Sequence, residues 1–432
     1  MALTEKLTAI ADAIRDKTGG TDKLTLDSMV TEIGNISGSG GSGGSSAVSA
    51  KAVNFYDYDG TRLYAYTVEE AQALTELPAL PEHEGLICQG WNFDLDTIKA
   101  YNGAVNIGAT YITDDGTTRI YIHLEEGRTS PTLGVCPNGT VTVNWGDGTD
   151  PDTLTGTSTS TGQWTPTHEY AEPGDYVIRL TVDGEIGFLG DVSGYAYLLR
   201  YSSSGDKRNQ VYQNALQKLE LGDGVTSIGN YAFSGCYSLA SIAIPDSVTS
   251  IGNYAFSGCY SLASIAIPDG VTSIGESAFR DCYSLASITI PDGVTSIGKS
   301  AFNNCYSLAS ITIPDGVTSI GTHVFSNCYS LASIAIPDSV TSIGNYAFSG
   351  CYSLASIAIP DGVTSIGESA FQYCYGVRYY DFSNHTAVPT LSATSAFTSI
   401  PADCEIRVPA ALYDEWIAAT NWATYASYIV AV

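Results

Sequence analysis

Residues 236–258 read CYSLASIAIPDSVTSIGNYAFSG, and from Cys259 the chain begins the same phrase again. The unit is Leu-x-x-Ile-x-Ile-Pro-Asp-x-Val-Thr-x-Ile-Gly-x-x-Ala-Phe-x-x-Cys-Tyr-Ser. Copies start at Leu239, Leu262, Leu285, Leu308, Leu331 and Leu354, with a weaker first copy at Leu216. Within a copy, Ile242 and Ile244 point one way and Ser241 and Ala243 the other, the period of a strand with one buried face. Pro245-Asp246 turns the chain. Val248 and Ile251 then point back inside, and Ala255, Phe256 and Cys259 fill the far wall. One unit cannot bury enough apolar surface to offset the entropy of ordering itself, so the units must share a core. The repeat therefore predicts a solenoid with equivalent residues about 4.8 Å apart along parallel ladders.

Two side-chain columns follow from that stacking. Cys236, Cys259, Cys282, Cys305, Cys328, Cys351 and Cys374 occupy one structural position. No CxxC or Cys/His cluster accompanies them, which favours a core ladder of small apolar thiols over disulfides or a metal site. Tyr237, Tyr260, Tyr283, Tyr306, Tyr329, Tyr352 and Tyr375 follow directly as a column of phenols. Such a column can stack on itself, or it can meet sugar faces and protein contacts. Variation among copies gathers on either side of the Ala-Phe step. It falls at pairs such as Asn253-Tyr254, Glu276-Ser277, Lys299-Ser300 and Thr322-His323, then Arg280-Asp281, Asn303-Asn304 and Gln372-Tyr373. These positions are expected to face water. Tyr231, Tyr254 and Tyr346 there join the column as candidate receptor contacts. Residues 236–279 and 328–371 are identical, the mark of recent internal duplication.

The repeat copies match the "IPDGVTSIGxxAFxxC" pattern of the BspA-like leucine-rich repeat, and residues 216–382 resemble that family. The resemblance implies an adhesive surface and no catalytic position. Composition agrees. Against 45 Asp and Glu stand 18 Lys and Arg, a formal net charge of −27, which repels nucleic acid and anionic lipid. Five histidines, His83, His123, His168, His323 and His385, are scattered without a nucleophile elbow or a phosphate-cradling loop, so neither an enzyme nor a cofactor is expected. The first residues, MALTEKLTAIADAIRDK, lack the apolar run of a secretion signal. Apolar runs long enough to span a membrane are also missing, so no membrane insertion is expected.

The expected fold class is multidomain and mainly β, with six regions. Residues 1–36 form a helical attachment segment in which Leu3, Leu7, Ile10 and Ile14 make one apolar seam. That seam either closes on the following amphipathic segment or gathers several chains. Residues 37–50 are a Gly/Ser linker. Residues 51–112 begin with a hairpin around Asp59-Gly60 and resemble small β-grasp-like modules. Residues 113–200 carry VTVNWGDGT and HEYAEPGDYVIRLTV. These resemble the PKD-type β-sandwich, in which Trp145 to Gly148, His168, Tyr170, Pro173, Gly174 and Tyr176 are structural. Asp147 and His168 then belong to turn capping and core hydrogen bonding. Residues 201–383 are the solenoid and residues 384–432 its cap.

Residues 1–36 also resemble the leading segment of phage tail-associated proteins. With the absent export signal, this implies a virion tail fibre assembled in the host cytoplasm. Its N-terminus would meet other tail proteins and its repeats a host surface glycan or protein. A homo-oligomer is expected, trimeric as in tail fibres. The alternative is a bacterial cell-surface adhesin of the BspA-like family.

Overall fold

The computed structural model describes residues 53–57, 61–91, 95–100, 105–127, 129–159, 166–188, 200–201 and 215–432. The chain divides into two units, and all the described residues belong to the second, Lys51–Val432. The seam Leu3, Leu7, Ile10 and Ile14, and the trimer expectation with it, lies outside them.

The described chain is mainly β, with a solenoid of about seven turns and few helices. From Leu262 onward each coil contributes two short strands, most of which pair in parallel with their equivalents in the next coil. Ser264–Ala266 lies beside Ser287–Thr289 and Ser310–Thr312 beside Ser333–Ala335, while Ser342–Ile343 lies beside Ser365–Ile366. The third side of the coil is a turn rather than a strand, yet it too bonds along the stack. The N–H groups of Tyr254, Phe256 and Gly258 donate to the carbonyls of Glu276, Ala278 and Arg280 in the next coil. Tyr254 and Gly258 take positive φ, +56° and +77°, which aims their N–H groups along the solenoid axis. The copies from Tyr231 to Tyr346 repeat all three bonds, so the neighbouring coil satisfies backbone donors on the turn side as well as on the strand sides.

Both ends of the stack are closed by continuation of the same hydrogen bonding. At the N-terminal end, strand Leu216–Glu220 pairs antiparallel with Thr118–Leu124 of the preceding six-stranded sheet. Val225–Ile228 runs parallel to the end of Gly174–Phe188 in that sheet. Gly229 donates to Phe188, whose ring begins the Phe stack of the core at 5.5 Å from Phe233. At the other end, Tyr379–Asp381, Glu405–Val408 and Ile429–Ala431 extend the sheet. Trp416 and Trp422, both fully buried, close the core over Phe382 and Phe397. An open strand edge is a template for aggregation, and at the C-terminal end it is reduced to the three-residue strand Ile429–Ala431.

The small N-terminal module is seated on the solenoid. Its strands β1 (Val53–Tyr56), β2 (Arg62–Tyr66), β3 (Leu86–Trp91) and β4 (Val105–Thr113) form a sheet in the order β2-β1-β4-β3. Strand β4 lies across the Ser/Ala/Thr face of the first coils. A Cβ on Gly108 would come within 2.7 Å of the Ala266 Cβ, and Ala109 and Tyr111 pack on Ala243. Gln89 accepts a hydrogen bond from the Asp246 N–H. Arg119 bridges the module, the six-stranded sheet and the first coil, donating to the Gly85 carbonyl, to Asp114 and to Glu220.

The outward strand face expected from the sequence is thus open only in part. Ser264, Ala266, Ser287 and Thr289 are buried, whereas Ser333, Ala335 and Ala358 in later coils are exposed. Replacing Gly108 by Val should unseat the module, costing about 1–3 kcal/mol of docking through overpacking against Ala266. Hydrogen exchange of residues 264–266 and 287–289 should then accelerate, while the thermal transition of the later coils stays in place.

Candidate functional site

The Cys and Tyr columns are built on the turn side of the coil, where the chain bends from Phe through Cys into the next strand. Each thiol is more than an apolar filler. Cys259 Sγ donates to the Phe233 carbonyl at 3.2 Å, and Cys282, Cys305, Cys328, Cys351 and Cys374 repeat the bond to Phe256, Phe279, Phe302, Phe325 and Phe348. The thiol thus adds a second donor, from the next coil, to a carbonyl that already accepts the Cys N–H of its own coil. All ten cysteines are free. Burial pushes the column thiols well above the usual range, to about 12 at Cys236 and Cys374, and removes their reactivity.

The phenol column exists as a continuous stack. Ring centroids are 4.3 Å apart between Tyr237 and Tyr260, and 4.6–4.7 Å from Tyr260 through Tyr352, with neighbouring planes within 10°. At this spacing each inner ring spends its faces on its neighbours. A sugar cannot lie flat on Tyr260, Tyr283, Tyr306 or Tyr329, so stacking on sugar faces along the length of the column is ruled out. What the inner column presents is a comb of ring edges and hydroxyls. Burial pushes these phenols up, so they stay protonated and can donate. The last step loosens. Tyr375 sits 5.5 Å from Tyr352 at 28° and is 56% exposed.

A second row runs through Tyr231, Tyr254, Ser277, Ser300, His323, Tyr346 and Ser369, all with φ between +53° and +58°. Tyr231 stacks on Tyr254 at 4.8 Å and His323 on Tyr346 at 4.7 Å. Not all of this row faces water as the sequence implied. Ser277 and Ser369 are buried. Tyr254 and Tyr346 reach into the coil that follows, their hydroxyls donating to Glu276 and Glu368.

A third row, Gly235, Gly258, Asp281, Asn304, Asn327, Gly350 and Tyr373, also takes positive φ. Asn327 donates to Asn304 at 2.8 Å and Asn304 to Asp281 at 2.6 Å. This amide ladder was readable in principle, because Gly, Asn and Asp are the residues that tolerate a left-handed backbone.

Away from the repeat, His168 Nε2 lies 2.7 Å from Asp147 Oδ2, stacked on Trp145, and Thr149 donates to the same carboxylate. Burial opposes ionisation of Asp147, but the hydrogen bonds from His168 and Thr149 outweigh it and hold its pKa at about 2. The pair closes a turn over the core. His83 pairs with Asp57 and His123 with Asp175.

Comparison with known families matches residues 207–332 and 318–401 to the BspA type Leucine rich repeat region, in six copies. These residues are BspA-type leucine-rich repeats. The BspA-type repeats also align with solved structures. One is a leucine-rich repeat protein from Bacteroides ovatus, with 32% identity over 44% of this chain and 48% of that one, TM-score 0.39. Another is the leucine-rich repeat protein of T. pallidum, with 29% identity over 43% and 89%, TM-score 0.35. A third is a leucine-rich cell surface protein from Faecalibacterium prausnitzii, with 29% identity over 45% and 73%, TM-score 0.26. The chain spans about half the length of the Bacteroides ovatus protein. No curated protein matches it. Among the described residues no helix is long and apolar enough to cross a membrane.

Two outcomes are expected of the columns. The folded chain holds its thiol protons where the unfolded chain, with thiols near the ordinary value of 9.0, has lost them. Stability is therefore fully present below pH 9 and falls between pH 9 and about 12, by up to about 1.4 kcal/mol per pH unit for each thiol. Urea melts across that range check it, and Cys282→Ala should flatten the slope by one proton. Tyr306→Ala removes two ring stacks and should cost about 1–3 kcal/mol.

Proposed function

We propose that the BspA-type array is a recognition surface that attaches the protein to a bacterial surface glycan or protein, and that no bond is broken there. The observation that carries this reading is the turn side of the solenoid. Three rows of side chains, set by the coil step and supported by the Phe and Cys ladders beneath them, present aromatic and amide groups at fixed spacing. The contact residues on this reading are Tyr237, Tyr260, Tyr283, Tyr306, Tyr329, Tyr352 and Tyr375, with Tyr231, Tyr254 and Tyr346 beside them. A rigid aromatic surface loses little side-chain entropy on binding, which suits it to adhesion. The adhesive role that the BspA-like resemblance implies supports a cell-surface adhesin as the setting. The PKD-like and β-grasp-like modules, resemblances that rest on sequence, would then serve as spacer and seat.

A second reading places the chain on a virion tail, with residues 1–36 and their seam Leu3, Leu7, Ile10 and Ile14 as the attachment point to other tail proteins and the site of trimer formation. It rests on the resemblance of LTAIADAIRDKTG and the residues after it to tail-associated proteins. Immunogold labelling separates the two, since the adhesin reading requires label on the surface of producing cells and the virion reading label on particles.

Contact itself is tested with the full chain. Replacing Tyr329, Tyr352 and Tyr375 together by Ala should weaken binding to bacterial cells or purified envelope glycan by about tenfold or more, that is, by at least 1.4 kcal/mol. Unchanged binding with the solenoid still folded would remove the column as the contact surface.

A further inference from the structure

The third row of the array breaks its own rule once. Three of its coils carry Gly, and three carry Asp or Asn whose side chains hydrogen-bond along the row. Tyr373 alone puts an aromatic ring there, at φ +61°. A bulky residue in the left-handed region is strained, and strain of this kind gathers at ligand sites. The ring has no partner of its own kind in the row. Gly350 holds the position in the coil before it, and the coil after it, reached through the Tyr373 N–H bond to Thr398, offers Ser399. Tyr373 is accordingly 40% exposed.

Its neighbour is the loosened end of the phenol column. The centroids of Tyr373 and Tyr375 lie 5.9 Å apart with planes at 42°, so the two rings make an angled cradle. They are the exposed aromatic residues among those described. Among the described residues no further ring stacks beyond Tyr375, and the column stops where the next coil has Pro401. Beside the pair, Tyr352 lies 5.5 Å from Tyr375, and the chain neighbours Gln372 and Gly376 are polar or small.

We propose that Tyr373 and Tyr375 form a sugar-binding cradle that takes one neutral pyranose ring of a surface polysaccharide. This deepens the contact reading above and rests on it. The inner column cannot offer ring faces, whereas this end can. Two exposed rings match the C–H face of a single sugar, and fall far short of the roughly 800 Å² per partner that a stable protein interface buries. The formal charge of −27 selects against acidic sugars. Phenol hydroxyls at the rim supply donors and acceptors for sugar hydroxyls.

The test uses the full chain and four neutral polysaccharides, dextran, mannan, laminarin and galactan, in affinity electrophoresis and titration calorimetry. At least one should bind. Tyr373→Gly installs the residue that the row carries at Gly235, Gly258 and Gly350, so the melting temperature should hold or rise while affinity drops about tenfold or more. Tyr375→Ala should act likewise, and Tyr283→Ala, at an inner contact residue of the column reading, is measured beside them to separate the cradle from the column. Undiminished binding by Tyr373→Gly overturns the cradle. If Tyr283→Ala is then the variant that loses binding, the column reading survives without it. Failure of all four polysaccharides to bind also overturns the cradle. Cell binding that persists in that case points to a protein or acidic receptor, and loss of both ends the contact reading as well.

Discussion

Every feature of the array depends on one constraint, that a coil completes its hydrogen bonding only in its neighbour. Strand amides, the N–H groups of the left-handed turn residues and the Cys thiols all reach one coil along. A buried donor or acceptor left without a partner costs more than a made bond gains, so an isolated coil is unstable twice over, through lost core and through orphaned polar groups. This is why the chain needs the six-stranded sheet at one end and the Trp416–Trp422 cap at the other. The same constraint aligns the surface rows. Side chains one coil apart are held at ring-contact distance whether or not a ligand uses them.

The positive φ values link backbone to surface. A left-handed residue every few positions turns the N–H along the axis, and the side chain must then leave the coil sideways. Tyr254 and Tyr346 are presented by that turn, and so is Tyr373. Side-chain presentation and hydrogen-bond geometry are therefore not separate designs, and a substitution in these rows is felt by the stack as well as by the surface.

Much of the solenoid was legible because its signals are local. Leu239, Ile242, Ile244, Val248 and Phe256 declare their inward faces within one copy, and the 23-residue step declares the stacking. The seating of β4 left no such trace. Gly108 and Ala266 are far apart in sequence, and a small residue opposite a small residue has no periodic signature. The thiol bonds were hidden for a different reason, since a buried Cys reads as a small apolar group until the carbonyl opposite it is located. The column itself was legible, and so was its self-stacking. A spacing near 4.8 Å already leaves no room for a ligand between rings, and so restricts face-on contact to the end.

The module reaches along the coils as far as Ser310–Thr312 and the cap closes on the last, so the coil that starts at Leu331 lies between the two. The duplicated block 236–279 and 328–371 shows that whole units can be copied without a change of register. Gain or loss of a repeat behind the seat would move the terminal rings outward or inward by about 4.8 Å and leave every joint intact. Such a protein can vary its reach by genetic slippage alone, a form of size polymorphism that demands no refolding of its parts.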